Sequence, residues 1–181
     1  MKPGALPHMV EVRTLAARRI VIDGELEVTR MPRLLQAIAE AEGPARVSAN
    51  FDRDEEGRYI LDLSVAMPVA VSCQRCLSPM LVELASHSLL AALWTDDQAE
   101  HLPSRYDPLV TSDETDLWSV VEDELLLAMP AFSYHDNIDC GADTEYQQKQ
   151  NLGAPVVEEP QQKDNPFSVL AALKGKGTQP D

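Results

Sequence analysis

Residues 58–93 read RYILDLSVAMPVAVSCQRCLSPMLVELASHSLLAAL. The stretch decides the fold because its apolar residues alternate with a period of two on both sides of a short break. Tyr59, Leu61, Leu63 and Val65 share one face, and Met67, Val69 and Val71 continue it. Strand side chains alternate between faces, so the row predicts one long strand from Arg58 to Cys73. Met80–Leu93 predicts the return strand, with Leu84, Ser86 and Ser88 on one face. Cys73–Pro79 is the tight connection. The pair is an antiparallel hairpin with a cysteine-rich tip, and Pro68 marks an edge or a bulge in its first arm.

Working outward, Arg46–Arg53 alternates again through Val47, Ala49 and Phe51, and Asp54-Glu55-Glu56-Gly57 is a hairpin turn with a glycine available for positive φ. Arg19–Thr29 predicts a further strand. Pro32–Glu42 predicts a helix that starts at proline, carries Leu34, Leu35, Ile38, Ala39 and Ala41, and stops at Gly43-Pro44. A second helix is predicted over Leu117–Met129, capped by Asp116 and stopped by Pro130. A short strand fits near Leu109–Thr111. Residues 1–16, broken by Pro3, Gly4 and Pro7, read as an irregular lead-in. The expected fold is α+β: a twisted antiparallel sheet of about four to six strands with two packed helices. The domain is assigned to residues 1–140. Residues 141–181 read as a mobile tail, rich in Gln, Glu, Pro and Asn over 141–164 and with a short terminal helix near 167–173.

The chain has 181 residues, with 15 Lys and Arg against 30 Asp and Glu, a net charge of −15. That balance opposes a protein that coats nucleic acid by bulk charge, although a local basic face is still open. The acid is concentrated in the second half. The first half draws its positive charge almost wholly from arginines: Arg13, Arg18, Arg19, Arg30, Arg33, Arg46, Arg53, Arg58 and Arg75. Arginine suits planar contacts to phosphates and bases, but a solvated, salt-bridged surface accounts for the same residues. No leader with a basic and then an apolar region is seen, nor an apolar run of membrane length. With 3 cysteines, too few for a disulfide scaffold, the expected compartment is a cytoplasm.

Cys73-Gln74-Arg75-Cys76 is the sharpest chemical signal. A C-x2-C turn on a hairpin aims two thiolates at one point and is half of a familiar zinc site. His135 and Cys140 are the candidates for the other half and would complete a Cys3His set. A redox pair is a second reading, although its first cysteine would sit at a helix N-terminus. Reduced structural thiols in a turn are the third and preferred reading. The expectation is that the stretch 135–140 lies on a flexible acidic loop that need not reach the tip. Val121-Glu122-Asp123-Glu124-Leu125 reads as a solvated acidic helix face, since consecutive helix positions point about 100° apart and do not converge on one ion. No phosphate-binding glycine loop and no hydrolase or metalloprotease signature occurs.

Three of these motifs occur together and in order. Cys73-Gln74-Arg75-Cys76-Leu77 follows a valine-rich strand, Val121–Leu125 leads to Met129-Pro130, and Asn165-Pro166-Phe167-Ser168-Val169-Leu170 precedes Leu173-Lys174. In this the chain resembles the YceD family, the large ribosomal RNA subunit accumulation proteins, over nearly its whole length. The resemblance implies a non-enzymatic role in accumulation of 23S ribosomal RNA and in large-subunit assembly. It implies 23S RNA or its precursor, or a ribosome-assembly or RNA-processing protein, as partner, with neither a membrane nor a small-molecule substrate. An acidic adaptor that recruits or restrains a basic ribosomal protein or a ribonuclease is the alternative. The candidate contact residues are Arg18, Arg19, Arg75, Phe167 and Leu170. No cofactor is expected beyond a possible zinc ion.

Overall fold

The computed structural model describes residues 4–140. The assigned tail 141–181, with its helix near 167–173 and the candidates Phe167 and Leu170, lies outside the described residues. The long hairpin forms as its period predicts: β6 (Tyr59–Ser72) and β7 (Pro79–Leu93) pair antiparallel from Ile60↔Ala91 to Ser72↔Pro79. β5 (Ala45–Arg53) pairs with β6 across the turn at Gly57, whose φ is +81°. β3 (Val21–Leu26) pairs with β5. β4 (Glu40–Ala41) joins β6 at Val69 and Ala70. This is just past Ala66, the last β6 residue paired with β5, so Pro68 falls where one neighbour leaves and the next begins.

The sheet is mixed rather than purely antiparallel. Its outer strands, β1 (Gly4–Ala5) beside β3 and β8 (Asp107–Val110) beside β7, run parallel to their neighbours. The described residues give a seven-stranded sheet in the order β1-β3-β5-β6-β7-β8, with β4 off this path. A second, two-stranded sheet pairs β2 (Met9–Val10) with β9 (Thr115–Asp116). β8 matches the short strand expected near Leu109–Thr111, but two-residue strands and distant parallel pairings carry no local periodicity, so the sequence reading missed those.

One face of the sheet makes the core. Val47, Ala49 and Phe51 of β5 and Leu61, Leu63, Val65, Met67 and Val69 of β6 are buried against three short helices. These are α1 (Val12–Arg18), α2 (Pro32–Ala37) and α3 (Leu117–Leu127). Burying a Leu, Val or Phe side chain contributes roughly 1.5–3 kcal/mol, so this row is the main stabilising element.

Three expectations need correction. The lead-in is structured from Gly4 onward: Leu6, Val10, Val12 and Ala16 are buried, Trp118 Nε1 donates to the Leu6 carbonyl at 3.1 Å, and His8 stacks on Trp118. The first predicted helix ends at Ala37, not Glu42, because Ile38 turns extended and Glu40–Ala41 joins the sheet. The acidic run in α3 is not a solvated face. Glu122 and Glu124 are buried, at 4% and 7% exposure. Glu122 Oε1 accepts the backbone N–H groups of Arg33 and Leu34 at 2.6 and 3.0 Å, and Oε2 accepts Arg33 Nε at 2.8 Å. It thereby satisfies two donors of the first turn of α2, which a short helix leaves open. Glu124 Oε2 accepts the hydroxyls of Ser86 and Ser88 at 2.7 and 2.5 Å. Only Asp123 is exposed, bound to Arg33 Nη1 at 2.6 Å.

A cysteine and histidine cluster at the hairpin tip

The tip is a six-residue turn built on backbone bonds. Cys73 N–H donates to the Ser78 carbonyl and Leu77 N–H to the Cys73 carbonyl, both at 2.9 Å. The turn closes through Leu77 in the left-handed region, at φ +61°. Beyond α3 the chain comes back to this turn. Gln74 N–H donates to the carbonyl of buried Ser133 at 2.8 Å. Arg75 Nη1 reaches the carbonyls of Asn137 and Ile138, both at 2.9 Å, and its guanidinium lies 5.3 Å from the Tyr134 ring. The stretch expected to hang free is therefore tied to the tip by backbone-directed bonds that side-chain patterns do not reveal.

The result is convergence of the four candidates. One ligand atom from each of Cys73, Cys76, His135 and Cys140 lies within 4.8 Å of every other. Cys73 and Cys140 sulfurs are 3.9 Å apart, and Cys76 Sγ is 3.3 Å from His135 Nδ1. Two thiolates at ~2.3 Å from a tetrahedral ion stand about 3.8 Å apart, so the thiol pair already has the spacing of an edge of such a site. His135 Nε2 lies 3.2 Å from the Pro79 carbonyl. A carbonyl only accepts, so Nε2 carries the proton and Nδ1 of the neutral ring is left to face the sulfurs. A carbonyl partner of this kind orients a metal-binding imidazole.

Electrostatics fits the same set. Burial pushes the Cys73 thiol up, but N–H donors from Cys76, His135 and Arg75 outweigh it and bring the thiol down to about 5. The Ser78 N–H lowers Cys76. The hydrogen bond to Cys73 raises His135. Burial and the neighbouring sulfurs of Cys73 and Cys76 raise Cys140, which Arg75 opposes from 3.4 Å. Cys73 has no exposed surface, which argues against a dithiol that must be attacked from solvent. Three soft sulfur donors and one imidazole suit zinc, and four protein ligands fill a closed structural site.

The arginine candidates do not share this place. Arg18 is exposed, and Arg19 closes α1 in the left-handed region and pairs with Asp52 at 3.1 Å. Ile20 bonds to Phe51, level with Leu61 on β6. The rise of a strand sets that level on the order of 40 Å from Cys73. Arg75 belongs to the tip and spends its donors on the loop 137–140. Sequence reasoning missed the supporting contacts of Ser133, Asn137 and Pro79. Only the C-x2-C spacing and the later His135 and Cys140 carried a signal.

Among the described residues no helix is long and apolar enough to cross a membrane. The family model described as "Large ribosomal RNA subunit accumulation protein YceD" matches residues 61–174. The chain is also similar to the large ribosomal RNA subunit accumulation protein YceD of Haemophilus influenzae. The two are 31% identical over 178 residues, which covers 97% of this chain and 100% of that relative. No solved structure matches.

Proposed function

We propose, because this chain belongs to the YceD family, that it is a non-enzymatic factor that promotes accumulation of 23S ribosomal RNA and assembly of the large ribosomal subunit. The observation that carries the reading is the similarity over nearly the whole chain to a protein named for large ribosomal RNA subunit accumulation. The partner is 23S RNA or its precursor, or a protein of the assembly or processing machinery, in the cytoplasm. Zinc held by Cys73, Cys76, His135 and Cys140 would act as a cross-link between the hairpin tip and the segment after α3. With four protein ligands it would leave no open position for substrate, which agrees with a structural rather than a catalytic metal.

Loss of the protein is expected to lower the 23S:16S ratio and the free large-subunit pool on sucrose gradients, most visibly in the cold. Unchanged ratios and profiles would overturn the reading. The net charge of −15 favours one variant of it, an adaptor that captures a basic ribosomal protein or a ribonuclease. Pull-down with and without nuclease separates the two: capture that survives nuclease and ignores naked RNA selects the adaptor.

A further inference from the structure

At the end of the sheet away from the cysteines, Arg13, Arg58, Tyr59, Trp94, Gln98 and His101 line a cavity of about 400 Å3. Its floor is the apolar end of β7, and no carboxylate lines it. In a chain of net charge −15 the lining itself is cationic, with the carboxylates of Asp96, Asp97 and Glu100 on the same turn outside it. Arg58 is neutralised by Asp54 and Glu56. Arg13 makes no direct ion pair among the described residues, although the Asp113 carboxylate is near enough to act on it. Its Nη1 donates to the carbonyls of Thr111 and Ser112 at 3.2 and 2.8 Å, while Nη2 is buried without an acceptor. His101 is exposed and likewise unpaired among the described residues.

The aromatic partner is as unusual as the charge. Trp94 is 56% exposed, and the Arg13 guanidinium sits 3.4 Å from its ring centroid. Gln98 Oε1 accepts the Trp94 N–H at 2.8 Å, which fixes the start of the turn Asp96–His101 and leaves the Gln98 amide NH2 as a donor. Cations beside an exposed aromatic ring are the elements that hold single-stranded nucleic acid, where phosphate charge and base stacking act together. The volume lies in the range of small-ligand sites, about 300–1,000 Å3.

We propose that this cavity binds one unstacked nucleotide of single-stranded RNA, with the phosphate facing Arg13, His101 and the Gln98 amide and the base on Trp94. The site rests on the RNA reading above and makes it specific: the contact is local, involves one or two phosphates, and prefers unpaired RNA. An acidic peptide would use the charge but not the aromatic face.

The test uses the full chain and a fluorescein-labelled ten-nucleotide single-stranded RNA, followed by anisotropy. Trp94→Ala is expected to weaken binding about tenfold, the loss of one stacked base, while Trp94→Phe stays within about threefold of wild type. His101→Glu, at an exposed position, is expected to weaken binding without moving the melting curve. The log–log salt slope should be near −1, for one or two phosphates. Equal affinities for wild type, Trp94→Ala and His101→Glu overturn the proposal, as does equal displacement of the RNA by a glutamate-rich peptide. The assembly reading is scored separately, by the 23S:16S ratio in cells lacking the protein. A wild-type chain that restores the ratio but binds the oligonucleotide no better than Trp94→Ala overturns the cavity and leaves that reading standing.

Discussion

The two turns at the opposite ends of β6 solve one problem with different chemistry. At Asp54–Gly57 a buried carboxylate organises the turn. Asp54 accepts from the backbone of Glu56 and Arg58 at 3.0 and 2.8 Å, from Arg58 Nη1 at 2.9 Å and from Tyr106 Oη at 3.1 Å. The chain supplies both the anion and its cation. At Cys73–Ser78 the convergent groups are three thiols and an imidazole, and among the described residues Arg75 is the one cationic side chain bonded to them. The first turn is complete within the chain. The second gathers three sulfur donors and an imidazole, the donor set of the proposed structural zinc site.

The carboxylate end can be broken directly, and there the effect is expected to be largest. Asp54→Asn removes a buried, charge-assisted set of bonds and should cost about 2–3 kcal/mol, read as a fall in denaturation midpoint. Burial alone would raise Asp54, but the donors of Arg58, Tyr106 and Glu56 hold it below the usual carboxylate range. Its folded value is thus lower than its unfolded one. The stabilisation is present above the unfolded value, near 4, and is lost as the pH falls through the folded one. The gap between wild type and Asp54→Asn should therefore narrow as the pH is taken below about 4. A gap that stays constant into that range would mean that shape rather than charge holds the turn.

A smaller effect sharpens the same comparison. Both turns need a left-handed residue, and Gly57 supplies it at one end while Leu77 does so at the other. Leu77 is 77% exposed, so its side chain gains little from burial while its backbone bears the strain. Leu77→Gly should raise stability by at most about 1 kcal/mol, and Gly57→Ala should lower it by a similar amount. Destabilisation by Leu77→Gly would show that the leucine side chain is itself part of the tip.

Legibility differed along the chain for physical reasons. Period-two rows, the glycine turn and the Asp116 cap are local, and each forms as read: Asp116 Oδ1 accepts the Ser119 N–H at 3.1 Å. The short strand near Leu109 was legible, and β8 covers Asp107–Val110, but its parallel pairing with β7, the strand β1 and the N-terminal strap depend on distant partners and were not readable. Glu122 and Glu124 looked solvated because charge is normally exposed, yet the partner of Glu122 is Arg33, 89 residues away. For the candidate site, the C-x2-C half was visible as chemistry. His135 and Cys140 could be named as its partners, but that their stretch folds back onto the tip was not legible, because bonds such as Gln74 N–H to the Ser133 carbonyl leave no trace in residue type.

The most direct measurement is zinc content and zinc-edge X-ray absorption on the full chain purified without chelator. Close to one equivalent is expected, with about three sulfurs near 2.3 Å and one nitrogen near 2.0–2.1 Å, lost in Cys76→Ser. Less than about a tenth of an equivalent, together with a melting curve that a chelator does not move, would contradict it and leave the four residues as reduced thiols and a histidine packed in a turn.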